Sequence, residues 1–171
     1  MSGKAIGISM TYGFPGTYAR TPDDIVTSRQ LKEGSADVAY GLALMANTDN
    51  TYSPVDATFT ADKFGGVALR VVKQAVSYDT QNEMAYKALD LVSAINRGAV
   101  VVTCNNGTPT AGGPVYVRIK ANSDIVNGIV GGFEAVADST NTVKLTNVQW
   151  TNGYVDANGV AEITILTRAN A

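Results

Sequence analysis

Apolar and polar residues alternate in short runs through the second half of the chain. Pro114-Val115-Tyr116-Val117-Arg118-Ile119 follows the glycine turn Ala111-Gly112-Gly113, and Phe133-Glu134-Ala135-Val136-Ala137-Asp138 follows Gly131-Gly132. A period of two puts successive side chains on opposite faces of an extended backbone, so both runs predict strands. Thr142 to Thr151 carries Val143, Leu145, Val148 and Trp150, and its phase changes at Thr146-Asn147, as a β-bulge would make it. Asp156-Ala157-Asn158-Gly159 reads as a turn into Val160 to Leu166, where Ala161, Ile163 and Ile165 share one face and Glu162 and Thr164 the other. Gly65-Gly66, Gly112-Gly113 and Gly131-Gly132 each precede a strand candidate and read as hairpin corners.

The first half is less regular. Thr21-Pro22-Asp23-Asp24 has the order of a helix start, predicting a short turn or helix near 22–28. A strand is expected from 37 to 45, with Val38, Tyr40 and Leu42 on one face, then a polar loop, then a strand over Val67 to Val72. The stretch MAYKALDLVSAINRGAVVVTC, residues 84–104, admits a helix running into a strand. It equally admits two strands, 89–95 and 99–103, joined at Asn96-Arg97-Gly98 with Gly98 free to take positive φ. Local propensity is near even. The β character of the remaining chain, with seven or eight strands in all, favours the hairpin and an all-β sandwich or barrel.

Residues 1–22 show neither period. Tyr12, Phe14 and Tyr18 surround the breaker Gly13-Phe14-Pro15-Gly16, and disordered tails are poor in aromatic residues. The expected organisation is an extended arm, 1–22, laid over a neighbouring subunit, and a single β domain, 23–171.

Composition narrows the function. Forty-five per cent of residues are apolar and 16% charged, against about 25% charged in an ordinary soluble domain, so part of the surface is expected to lie against other subunits. The net charge is −2 and no cationic run occurs, which argues against nucleic-acid binding. No apolar stretch approaches the roughly 20 residues of a membrane span, and MSGKAIGISM lacks a signal-peptide core, so a cytosolic origin is expected. Histidine is absent. That removes His-based acid–base and nucleophile systems and most zinc sites.

The remaining candidates for chemistry are weak. Asp23-Asp24 suits a helix or strand start better than a catalytic dyad. Asp156 and Asn158 alternate as in a calcium loop, but Val160 and Ala161 break the pattern. No glycine pair is followed by Lys-Ser or Lys-Thr, so no phosphate loop is present. Cys104 reads as a small hydrophobe, and Trp150 as a half-buried strand residue rather than a sugar-stacking platform. No catalytic, cofactor or metal residue is assigned.

Asp24-Ile25 with Ser28-Arg29, Ala39-Tyr40-Gly41, Phe64-Gly65-Gly66-Val67-Ala68, Tyr86 with Leu89 to Ile95 and Arg97-Gly98, Gly112 to Val117, Gly131-Gly132-Phe133, and Asp156 to Ile163 form a recognisable series. Together these segments resemble the structural cement or decoration proteins of tailed-bacteriophage capsids. The likeness spans roughly residues 15–167 and rests on many turn-and-strand signatures rather than one sharp motif. The resemblance implies a compact β-barrel or jelly-roll-like sandwich without enzymatic activity. It implies attachment outside the capsid, made in the bacterial host cytoplasm, with the major capsid protein and further copies of itself (a dimer or trimer) as partners. It also favours strands over 89–103. Tyr12, Phe14, Tyr18, Arg20 and Arg29 are the expected neighbour contacts, the two arginines pairing with capsid carboxylates. A tail or neck component and a carbohydrate-binding β-sandwich are the rival readings.

Overall fold

Leu91–Thr103 form one strand of 13 residues around which the rest of the protein is organised. The computed structural model describes residues 11–71 and 84–167. In chain order its strands are β1 (Tyr18–Gln30), β2 (Val38–Ala39), β3 (Ala43–Ala46), β4 (Tyr52–Pro54), β5 (Phe64–Ala68), β6 (Ala85–Tyr86), β7 (Leu91–Thr103), β8 (Pro114–Arg118), β9 (Phe133–Glu134), β10 (Thr142–Trp150) and β11 (Val160–Ile165). The all-β class is as expected. Nine strands make one strongly curled sheet in the order β4-β3-β5-β7-β11-β10-β8-β9, with β1 alongside β7, and β2 pairs with β6 separately. The curl brings β9 back to the chain leaving β7: Asn105 N–H donates to the Phe133 carbonyl, and Ala135 N–H to that of Asn106. At the other end, Lys32 N–H donates to the Tyr52 carbonyl, joining the exit of β1 to β4.

Neither a helix nor a hairpin occupies 89–103. The segment is continuous, and Asn96-Arg97-Gly98 bends it without reversing it. Ile25 and Val26 of β1 are consecutive, yet they face Arg97 and Ile95, so Asn96 is the extra residue of a bulge. Its side-chain amide bonds the Gly65 carbonyl. Gly98 does take positive φ, at 115°, for a reason other than chain reversal: a Cβ there would lie 2.6 Å from the Asp23 carbonyl oxygen.

Other expectations shift for identifiable reasons. The turn or helix near 22–28 is instead part of β1, because Ile25-Val26-Thr27 is β-branched and finds a ladder along β7. The strand expected over 37–45 is broken at Gly41, whose φ of 81° suits its close approach to Pro15 and Gly16. The strand expected from Val67 begins at Phe64, and Gly65-Gly66 lie inside it rather than at a corner. Any side chain at Gly65 would meet the Tyr52 ring, and at Gly66 the Ile95 carbonyl. The run 133–138 pairs only over Phe133–Glu134. The bulge near Thr146-Asn147 is present as a register shift between Leu145 and Gln149.

Two hydrophobic clusters result. The larger holds Met45, Val67, Ile95, Val100, Val102, Val115, Val117, Phe133, Leu145, Trp150, Ile163 and Ile165. The smaller holds Leu31, Val38, Tyr40, Leu44, Tyr52, Ala68, Tyr86, Val92 and Ala94. Alternate residues of β3, β5 and β7 enter different clusters, so this part of the sheet is buried on both faces. In the smaller cluster the Tyr86 hydroxyl donates to the Leu69 carbonyl at 2.7 Å, and burial pushes its pKa up to about 12.

Candidate docking surface

The N-terminal part of the described chain lies on its own domain. Gly16 N–H donates to the Val101 carbonyl, and Val101 N–H to that of Thr17, so the strand pairing starts before β1 proper. Tyr12 N–H donates to Asp156 Oδ2 at 3.0 Å, its hydroxyl accepts from Asn152 Nδ2 at 2.6 Å, and its ring lies 5.9 Å from that of Tyr154. Burial pushes the Asp156 carboxyl upward, but the amides of Val160, Tyr12 and Asn158 together hold it below its ordinary value. The Asp156–Gly159 turn therefore anchors residue 12. Among the described residues no group of three potential ligands could hold a metal.

The five residues expected at neighbour contacts divide on inspection. Arg20 Nε donates to Glu162 Oε1 at 2.6 Å, and its Nη2 to Oε2 at 3.3 Å. Glu162 sits on the non-core face of β11, as alternation predicts, but it is buried and takes Arg20 as its counter-ion across β7. Arg20 is thus committed within the chain. Phe14 is exposed beneath the Arg70 guanidinium, 4.3 Å from ring centroid to Cζ, and Tyr18 is exposed beside Asp24 on β1. Arg29 lies over the Tyr52 ring at 5.2 Å, and its buried Nε has no hydrogen-bond partner among the described residues. The structure therefore brings Tyr12 and Arg20 to the β11 side and leaves Arg29 at the far end of β1.

Sequence reasoning missed one polar centre altogether. Arg118 and Glu134 are wholly buried and form a bidentate pair, with Nη2 to Oε2 at 3.0 Å. Arg118 Nη1 also reaches Asp138 Oδ2 at 2.8 Å. Alternation puts Arg118 on the outer face of β8; the chain after it folds back to cover that face, so Lys120 offers its carbonyl and Gly128 presses on the guanidinium. Hydrogen bonds from Asn122, Arg118 and Asn141 hold the Asp138 carboxyl below its ordinary value. No local signal marks this centre, because the covering segment carries no period of its own.

Trp150 is fully buried in the larger cluster and offers no stacking surface to a sugar. Cys104 is half-buried and burial pushes its thiol up, away from the reactive thiolate. The exposed features are instead apolar and extended. Leu89, Leu91 and Val26 lie in the open at the β1–β7 ladder, and the outer edge of β1 pairs with no other strand among the described residues.

Comparison with known proteins points to phage capsids. The family model of the XM1 gp53 minor capsid protein matches residues 3–165. A chain in the solved structure "The capsid of Myoviridae Phage XM1" superposes with a TM-score of 0.68, covering 96% of this chain and 98% of that one at 16% identity, a likeness of fold. No curated protein matches.

Proposed function

The chain belongs to the XM1 gp53 minor capsid protein family, and from that premise we propose that it binds the outside of a bacteriophage capsid and cements neighbouring major capsid proteins. As a family member it is a structural capsid component. The observation that carries the finer reading is the match over residues 3–165, taken with a surface whose exposed features are apolar side chains and an open strand edge. A clamp works by area and shape. A ligand that binds only the expanded shell adds its binding free energy to that state. Each copy then needs more than about 1,000 Å² of well-packed interface.

Phe14 and Tyr18, both exposed, are assigned to the capsid contact together with Arg29 at the far end of β1, while Tyr12 and Arg20 hold the N-terminal segment in place. The net charge of −2 and the lack of a cationic run support a protein partner over packaged nucleic acid.

Copy number in purified virions, measured by mass spectrometry against the major capsid protein, tests the role. A value comparable to the capsid protein is the expected result. A few copies per particle would move the protein to the neck or tail. Phe14→Ser combined with Tyr18→Ser should leave the fold intact and reduce occupancy; unchanged occupancy would remove these residues from the interface.

A further inference from the structure

We propose that Leu89 is an anchor by which this chain docks into an apolar recess of a capsid-shell subunit. The inference rests on the capsid-binding reading above and deepens it by naming the contact. Lys87 to Asp90 make a β-turn, closed by Asp90 N–H on the Lys87 carbonyl at 3.0 Å. Leu89, the third residue of that turn, has a φ of 71°. Glycine or asparagine normally fills this place, because a larger side chain crowds the backbone there. Leu89 N–H donates to the Leu31 carbonyl at 3.0 Å, and the Leu89 carbonyl accepts from Gln30 Nε2 at 3.2 Å. The turn is held from both sides, so the leucine is fixed in a conformation that it disfavours.

Its own fold does little to offset that strain. Leu89 is 53% exposed and belongs to neither hydrophobic cluster of the described residues. In the isolated chain it therefore combines a strained backbone with apolar surface left in water. Strained residues of this kind cluster at binding sites, and burial of the side chain in a partner's apolar recess is the missing compensation. The surface beside it suits the same partner. Leu91, 66% exposed, faces Gln30 across the β1–β7 ladder, Ser93 faces Ser28, and Val26 follows on the same side of β1. None of these side chains carries a charge. The Ser28 and Ser93 hydroxyls bond each other at 3.1 Å, and the Gln30 amide is already bound to the Leu89 carbonyl. This face can thus leave water without stranding an ion or a polar group, as the core of a protein interface requires. A partner surface that is charged, whether protein or nucleic acid, is a poor match to it.

The test sets stability against binding. Leu89→Asn introduces a residue suited to positive φ and removes the apolar side chain. The melting temperature of the isolated protein should then hold or rise. Its affinity for capsids purified without this protein should fall by about tenfold or more, the loss expected when a leucine no longer leaves water. Leu91→Ser should weaken binding in the same direction without lowering the melting temperature. Leu89→Met keeps the apolar bulk and should bind as the wild type does. A Leu89→Asn protein that melts earlier would mean that the leucine is compensated within its own fold, and one that binds capsids normally would mean that no shell subunit uses it. Either result overturns the proposal. If only these variants behave contrary to expectation while the wild type binds, the capsid role stands; a wild type that binds no capsid removes that role, and this inference with it.

Discussion

Arg118 is the residue whose environment departs furthest from its chemical type. A guanidinium with no exposed surface is tolerated because Glu134 meets it in bidentate fashion and Asp138 and the Lys120 carbonyl take further N–H groups. Removing one partner leaves the other charged and buried, so Arg118→Ala should cost about 3–5 kcal/mol in urea unfolding. This centre and the Asp156 turn together give an acid sensitivity. Asp138 and Asp156 are held below the ordinary carboxyl value when folded, near 3.9 when unfolded. Their stabilisation is fully present above about pH 4 and is lost as pH falls through their folded values, where the unfolded chain has already bound the protons. The urea midpoint should therefore drop between pH 5 and 3, and Asp138→Asn should flatten that drop while lowering stability at pH 7. A midpoint independent of pH over this range would contradict the assignment.

Among the elements, β7 shows what a sequence can and cannot disclose. Its residues are extended, β-branched and rich in alanine, and the extended character of Ala99 to Thr103 is plain from the text. Its continuity is not. Burial on both faces removes the polar-apolar alternation that would have marked the strand, leaving a mixture that a helix, a hairpin or one strand all satisfy. Asn96-Arg97-Gly98 looks like a turn because bulges and turns ask for the same residues. β11 and β10 were legible because each has one clear face, and β1 was not, since Thr21-Pro22-Asp23-Asp24 imitates a helix start. The glycine of the bulge offers a direct test. Gly98→Ala would place a methyl group against the Asp23 carbonyl in a backbone region closed to L-residues. It should destabilise the fold by about 1–3 kcal/mol or more in thermal or urea melts.

For the whole molecule, the all-β class and the capsid-family likeness were both readable beforehand. The internal partners of Tyr12 and Arg20 were not readable. Arg20 became an internal counter-ion because Glu162, facing away from the core, is nevertheless covered, a pairing 142 residues apart in sequence. Replacing it should therefore act first on the fold. Arg20→Ala should lower the melting temperature, and adding Glu162→Gln should recover part of the loss by removing the stranded charge; failure of that recovery would mean the pair is incidental.

The position of β7 between β1 on one side and β5 and β11 on the other also sets a timetable for synthesis. Val100 faces both Tyr18 and Ile163, so its neighbours emerge from the ribosome some 145 residues apart. Until Val160–Ile165 has been made, β7 keeps a bare edge and the larger cluster lacks Ala161, Ile163 and Ile165. Non-local pairing of this kind is slow and leaves apolar strands open meanwhile. Chains terminated before residue 160 should accumulate as aggregates rather than as a folded lobe. Competence to join a particle would then arrive only when translation has passed β11.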